Sequence, residues 1–403
     1  MKLFLVLIFL CLLVVTGVQA KPLRIVTWNV YAGTIEGIEN RALSDFMKAG
    51  KELKPDILII QEINSYASAQ RIAELMNIKS AHIAISNFNR DIGAFYQGHE
   101  VAVISRIPIK SLTEYDTGID EFGAVTISPS GNIDYGRGVR EIKLVTPTSI
   151  ISNPISLRGQ RGFLRVELKN DIVIYPVHLK SNLLGYCFTA SDAAKAVVSL
   201  RRKINKVAGS EPDVKLLESM ISRLKKYGDA DTTIKRSAIN SDVQRNAKLR
   251  EQVMAAIGLL AKKDVANKKT PLVAGDFNTS DEEPCKSGSR LDQDAKVDFT
   301  CASRKVPNTC GGMDGFDDTH ALLSRGIISG LKMRSLTNGI GRTHLSADEN
   351  KYADVPIDHI YVDGPRKMKF SKAIKLGIPQ YDNRNRPRVF GSDHHPVLTI
   401  MVQ

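Results

Sequence analysis

Apolar and polar positions alternate or cluster along this chain in a way that predicts many strands and few helices. Leu23-Arg24-Ile25-Val26-Thr27-Trp28-Asn29-Val30 is rich in β-branched residues and predicts a strand. Leu43, Phe46, Met47 and Leu53 then recur near helical spacing until Pro55, which predicts a helix. Asp56-Ile57-Leu58-Ile59-Ile60-Gln61-Glu62 is a short continuous apolar run, the pattern of a strand buried on both faces. Residues 67–76 predict a second helix. Further strands are predicted at Val101–Ser105, Ile172–His178, Pro271–Gly275, Ile357–Val362 and Pro396–Val402. Strands interleaved with a few helices argue for a layered α/β domain rather than a bundle or an all-β sandwich.

Two stretches break this rhythm. About 186–246 is helix-forming and basic, with Arg201, Arg202, Lys203, Arg223, Lys225, Lys226, Lys235 and Arg236 among its cations. About 280–315 carries three cysteines among Gly, Ser, Asn and Asp. Neither has the composition of a flexible linker, and no internal repeat is present. The expectation is one domain over 21–403 with two insertions; a separate helical domain is the alternative. Residues 1–20 have the form of a secretory signal peptide, with Lys2, an apolar run from Leu3 to Val15, and Val18-Gln19-Ala20 before the cleavage point. The protein is therefore expected to be secreted or periplasmic after its removal, without stable membrane insertion.

Composition narrows the picture further. Of 403 residues, 43% are hydrophobic and 25% charged, which excludes wholesale disorder and a small disulfide-stapled scaffold. Lys and Arg number 56 against 43 Asp and Glu, a net charge of +13 that favours polyanionic partners. Processing would remove Lys2 and also Cys11, leaving Cys187, Cys285, Cys301 and Cys310. In an oxidising compartment four cysteines suggest two disulfides in any of three pairings. None forms a C-x-x-C pair, so structural zinc is a poor reading.

Candidate chemistry falls at strand ends. Asn29 lies within the first strand and Glu62 ends the buried second one. His178 closes another, Asp276 and Asn278 follow Pro271–Gly275, Asp358 and His359 lie in Pro356–Ile360, and Asp393, His394 and His395 precede the last strand. Each alone has an ordinary reading as a turn, cap or solvated terminus. In order, the six motifs offer the residue types that phosphodiester cleavage needs.

This ordered set, Trp28-Asn29, Gln61-Glu62, His178, Gly275-Asp276-Phe277-Asn278, Ile357-Asp358-His359 and Ser392-Asp393-His394-His395-Pro396, resembles the endonuclease/exonuclease/phosphatase superfamily. Val103-Ile104-Ser105-Arg106-Ile107-Pro108 and Arg161, seventeen residues before His178, match it too. The resemblance implies a four-layer α/β sandwich, two mixed β-sheets face to face with helices outside. It also implies that Glu62, Asn29 and Asp393 form a hard oxygen site for Mg²⁺, with Mn²⁺ as the alternative. Asp276, oriented by Asn278, would position and polarise the attacking water. His394, held and charged by Asp358, would bind a phosphate oxygen, with His178 and Arg161 on the other side.

Fold does not fix substrate. The Gly-Asp-Phe-Asn and Pro-Ile-Asp-His-Ile-Tyr-Val segments resemble the nucleases, and the positive charge suits a phosphate backbone. The expectation is a monomeric, non-specific nuclease of DNA or RNA. A sphingomyelinase-like lipid phosphodiesterase or phosphatase of the same fold, and a non-catalytic secreted binder, are the alternatives.

Overall fold

The computed structural model describes residues 21–33, 43–63, 65–86, 100–115, 125–130, 133–135, 137–139, 162–179, 232–279, 319–326, 328–345, 356–364 and 368–402. The four expected disulfide cysteines, Arg161, the cysteine-bearing insertion up to residue 315 and residues 186–231 lie outside these.

In chain order the first part runs β1 (Leu23–Gly33), α1 (Leu43–Leu53), β2 (Ile57–Ile63), α2 (Tyr66–Leu75), β3 (His82–Ile85), β4 (Glu100–Ser105) and β5 (Ile109–Tyr115). Next come β6 (Val125–Ile127), β7 (Ile133–Tyr135), β8 (Arg137–Val139), β9 (Phe163–Leu168) and β10 (Ile172–His178). A long helix, α3 (Thr232–Ala266), leads to β11 (Thr270–Asp276), α4 (Ala321–Ser324), β12 (Arg334–Ser335) and β13 (Asp358–Val362). The chain closes with β14 (Lys369–Phe370), β15 (Ile374–Lys375), a small hairpin of β16 (Gln380–Tyr381) and β17 (Pro387–Arg388), and β18 (Val397–Val402). The basic stretch read to residue 246 thus has no boundary there, because α3 runs through it.

Nine strands form one sheet in the order β14-β18-β1-β2-β4-β3-β6-β7, with β15 also on β18; seven form the other, β12-β13-β11-β10-β9-β5-β8. Both are mixed: β1–β2 and β10–β11 pair in parallel, β1–β18 and β11–β13 antiparallel.

Strand alternation assigns each apolar residue to one of three cores. Ile25, Ile57 and Ile59 of the nine-stranded sheet pack with Ile174, Leu272, Ala274 and Ile360 of the other, filling the space between the sheets. The intervening residues Val26, Trp28, Leu58 and Ile60 face Phe46, Ala49 and Leu53 of α1 and Ala69 and Ile72 of α2. On the far side, Val173, Tyr175 and Val273 pack against Val253, Met254, Ala256, Ile257 and Ala261 of α3. The result is four layers, helix–sheet–sheet–helix.

Pro176 sits inside a fully buried strand, where its missing N–H would ordinarily be costly. The antiparallel pairing of β10 with β9 stops at Ile174, short of it, and Pro176 faces Ala274 in the parallel ladder. Gly275 lies beside it with φ +147, where an added Cβ would stand 1.9 Å from the Val177 carbonyl oxygen. That close approach brings the ends of β10 and β11 into register, with His178 opposite Asp276.

Candidate active site

The same alternation that makes the inter-sheet core places polar residues at one end of it. Ile25, Thr27 and Asn29 share a face of β1; Ile172, Ile174 and His178 share one of β10; Leu272, Ala274 and Asp276 one of β11; Ile360 and Asp358 one of β13. Both parallel strand pairs end where the antiparallel β13 and β18 begin, so these residues converge on one sheet edge. Asp276 pairs in register with His178 on one side and Asp358 on the other.

Glu62 arrives there differently. The β2–β4 register slips between Gln61 and Ile63, and Glu62 takes φ +63. A bulge of this kind re-aims a side chain, and here it turns Glu62 toward Asn29. The β1–β2 register slips as well, between Asn29 and Gly33, with Tyr31 at φ +49. A third left-handed residue, Asn278 at φ +53, follows Asp276. Non-glycine residues in this region cost about 1–2 kcal/mol and concentrate at functional sites.

Asn29 is the bridge between two carboxylates. Its Nδ2 donates to Glu62 Oε1 and to Asp276 Oδ2, both at 3.1 Å, while its Oδ1 accepts from the Tyr31 amide at 3.0 Å. Asp276 Oδ1 accepts the Asn278 amide at 2.8 Å. The Asn278 side chain itself donates to the Leu179 carbonyl at 3.1 Å, so it orients Asp276 through its backbone rather than its amide group. On its open side Asp276 Oδ2 faces two imidazoles, His178 Nε2 at 3.7 Å and His394 Nε2 at 3.9 Å. His178 Nε2 also lies 3.9 Å from Glu62 Oε1. These distances exceed a hydrogen bond.

His394 is held from behind. Its Nδ1 lies 2.8 Å from Asp358 Oδ2 inside the protein. Burial opposes its charge, but the Asp358 carboxylate, joined by Asp276 and Asp393, outweighs it and raises the imidazole to about 10. The charged imidazolium is thereby favoured, with its Nε2 directed toward Asp276 at 3.9 Å. Asp276 is driven up to about 7, first by burial, with the His394 charge opposing and the Asp358 charge assisting. Asp358 itself is lowered: burial pushes it up, and His394 more than compensates.

Thr343 and His344 are supporting residues that no sequence motif singled out; Trp28, His359, Ser392, Asp393 and His395 stand within the strand-end motifs. Ser392 Oγ donates to the Asn29 carbonyl at 2.6 Å and accepts the His394 amide at 3.0 Å. Trp28 Nε1 donates to the His394 carbonyl at 3.1 Å. Thr343 Oγ1 accepts the amides of Ile357 and Asp358. His344 places its ring edge-on to His394, 4.9 Å between centroids, and burial followed by the His394 charge lowers its pKa to about 4. Asp393 is met by Arg388 Nη1 at 3.2 Å; its buried Oδ1 has no hydrogen-bond partner among the described residues. His395 turns away, toward the Leu376 carbonyl. His359 sits on the outer face, within reach of Thr337 Oγ1 and the Thr279 carbonyl.

Asp276, Asp358 and His394 present ligand atoms that all lie within 4.8 Å of one another, a grouping able to hold a metal ion. Glu62 joins this group through Asn29.

A family model described as Endonuclease/Exonuclease/phosphatase family matches residues 26–394. The chain is similar to an endonuclease/exonuclease/phosphatase family protein from Bacteroides thetaiotaomicron, at 12% identity over 95% of this chain and 98% of that one, TM-score 0.44. It is similar to a mannosyl-6-phosphatase of the same organism, at 12% identity over 94% and 100%, TM-score 0.43. An AP endonuclease from Archaeoglobus fulgidus is similar at 14% identity over 94% and 98%, TM-score 0.42. No curated protein matches the chain significantly.

Proposed function

Because the chain belongs to the endonuclease/exonuclease/phosphatase family, we propose that it is an exported, divalent-metal-dependent phosphodiester hydrolase, an endonuclease of low sequence specificity acting on DNA or RNA. The observation that carries the reading is the setting of Asp276. Its carboxylate is fixed by Asn29 and the Asn278 amide on one side and faces His178 and His394 on the other.

The donor set fits a hard cation. Glu62, tied through Asn29 to Asp276, and Asp393, next to His394, offer carboxylate oxygens of the kind Mg²⁺ prefers. Burial, with the Asp358 charge assisting, raises Asp276, and Asp393 Oδ1 has no hydrogen-bond partner among the described residues; a bound cation would favour the ionised carboxylates. Glu62 and Asp393 would hold it, with Asn29 fixing Glu62. When bound, it supplies neutralisation of the charge that builds on the phosphoryl oxygens.

The remaining work falls to the protein's own side chains. Asp276 accepts a proton from the attacking water, which its two fixed oxygens orient; the water oxygen bonds to phosphorus as the opposite P–O ester bond breaks, and the departing alkoxide takes a proton from solvent. His394, a cation kept by Asp358, donates Nε2–H to a non-bridging phosphate oxygen, the preorganised electrostatic support that acyl- and phosphoryl-transfer sites share. His178 approaches the same oxygen from the other imidazole position. The net charge of +13 favours a polyanionic substrate over a neutral one.

A substrate panel tests this: duplex DNA, single-stranded DNA, RNA, sphingomyelin and sugar phosphates, each with Mg²⁺ and with excess chelator. We expect nucleic acid to be cleaved and chelator to stop it. Full turnover in chelator would remove the metal, and hydrolysis of sugar phosphates alone would remove the nuclease reading. Asp276→Asn is expected to lower kcat by about 10²–10⁴-fold with an unchanged circular dichroism spectrum.

A further inference from the structure

We propose that a basic cleft at the opposite end of the nine-stranded sheet is a second binding site, one that takes closely spaced phosphate groups. The cleft lies where α1 and α2 both end, beside the start of β1 and the turn after β4. Its volume is about 790 Å³, within the range of roughly 300–1,000 Å³ typical of ligand pockets. Six cationic side chains line it, Lys21, Arg24, Lys51, Lys54, Arg71 and Arg106, against two carboxylates, Asp56 and Glu74.

The hollow follows from the sequence of the two helices. Gly50 lets α1 press onto α2, since a Cβ there would stand 2.5 Å from Met76 Cα. That contact draws the two C-terminal ends together, and with them the cations of both.

Both carboxylates are already engaged. Asp56 Oδ2 accepts the Arg24 amide at 2.9 Å, and Oδ1 faces Arg106 Nη1 at 3.5 Å. Glu74 pairs with Arg71 at 3.3 Å. Arg24 Nε donates to the Leu53 carbonyl at 2.7 Å and so caps α1. Cations at helix C-termini are favourable in themselves, which accounts for Arg24 and Lys51. It does not account for Lys21 before β1; Arg106 after β4 reaches the Asn77 carbonyl just past α2 at 3.4 Å as well as Asp56. Lys54 closes α1, its amide donating to the Gly50 carbonyl at 3.1 Å, and does so at φ +43 where glycine is the low-cost residue. Lys21, Lys51 and Lys54 are exposed and have no carboxylate partner among the described residues.

Excess positive charge gathered from four elements into one concavity suits a ligand whose negative charges are equally close-set. Consecutive phosphates have that spacing, whether in a free polyphosphate or along a polynucleotide. Arg24 and Asn29 are five residues apart on β1, about 17 Å, so the cleft is separate from the candidate active site and stands independently of the reaction assigned to it.

The probe is sodium tripolyphosphate, titrated into the metal-free full chain and followed by amide chemical shifts and calorimetry. We expect shifts at residues 50–54, 76–78 and 106. The combined variant Lys21→Gln, Lys51→Gln, Lys54→Gln should bind about tenfold more weakly or worse, while a control neutralising Lys263, Lys268 and Lys369 binds normally. Unchanged affinity in the cleft variant, or shifts confined to the surroundings of Asp276, would overturn the site. A short oligothymidylate separates the sources. A fall in the salt slope of about 0.7 per lysine lost identifies a strand backbone; an unchanged slope with lost tripolyphosphate binding identifies a free polyphosphate.

Discussion

His359 shows how much of this site is held from outside it. Its Nε2 lies 3.1 Å from the Thr279 carbonyl, which can only accept, so Nε2 carries the proton. Nδ1 then takes the Thr337 hydroxyl at 3.0 Å as an acceptor. The ring also packs on Phe277, 5.1 Å between centroids, so one imidazole grips the loop on either side of Asn278, whose amide fixes Asp276. We expect His359→Ala to lower kcat by about 10–100-fold, as loss of an outer-shell partner does, with KM little changed. His359→Gln, which can still donate to Thr279, should recover most of the rate. Equal rates for all three would reduce the ring to packing.

The strand-end residues Asn29, His178, Asp276 and Asp358 were legible in the sequence because each continues an apolar alternate face and breaks its polarity at the end. Glu62 was legible as a residue but not as a direction, since only the bulge at φ +63 aims it. The Arg388 partner of Asp393 and the backbone route from Asn278 to Asp276 were not legible. Contacts between segments distant in sequence leave no local pattern.

At the level of elements, two joints govern the site. The first is the β10–β11 contact at Gly275. Gly275→Ala would force a Cβ into the Val177 carbonyl, 1.9 Å away at φ +147, and part the strands that carry His178 and Asp276. We expect a loss of stability of about 3 kcal/mol or more, read as a fall in Tm together with loss of turnover.

The second joint ties α3 to the seven-stranded sheet and fastens β5 to β9 within it. Glu167 on β9 receives Lys110 at 2.8 Å, Lys269 at 2.6 Å and Arg165 at 3.1 Å; Arg165 also engages Asp264 of α3, which accepts the Tyr175 hydroxyl. Burial would raise Glu167, but the three cationic donors override it and lower its pKa from 4.5 to about 2. A depressed carboxylate stabilises the fold fully above its ordinary pKa and ceases to do so as pH falls through its folded value. The Tm difference between the native chain and Glu167→Gln should therefore be constant above pH 4.5 and shrink toward pH 2. A difference that does not change with pH would mean the charge is not what matters.

β9 itself was missed in the sequence. Phe163-Leu164-Arg165-Val166-Glu167-Leu168 alternates, yet its charged residues face a buried network rather than solvent, so its pattern reads as an ordinary half-exposed stretch. The long continuous runs of β2, β10 and β11 left no such ambiguity.

For the molecule as a whole, the family resemblance implied four layers, and the three cores show how the sequence builds them: one apolar face per strand for the inter-sheet space, the other for helices. Local pattern could not show which strands meet, because the order β18-β1-β2 joins the two ends of the described chain. That junction can be tested. Removing residues 396–402 spares every proposed catalytic side chain but strips β18 from β1. We expect activity and cooperative unfolding to be lost together; a cooperative, active fragment would show that β18 is only an edge cover.

The Trp28 indole and Ser392 hydroxyl fasten the His394 segment to β1, and this has a consequence in time rather than in space. A polypeptide made from its N-terminus onward acquires Asn29, Glu62, His178, Asp276 and Asp358 in turn, yet lacks His394 until the segment that docks on β1 has been added. On the reading proposed above, a chain still growing toward that segment would be inert, and turnover would begin only once the segment has docked.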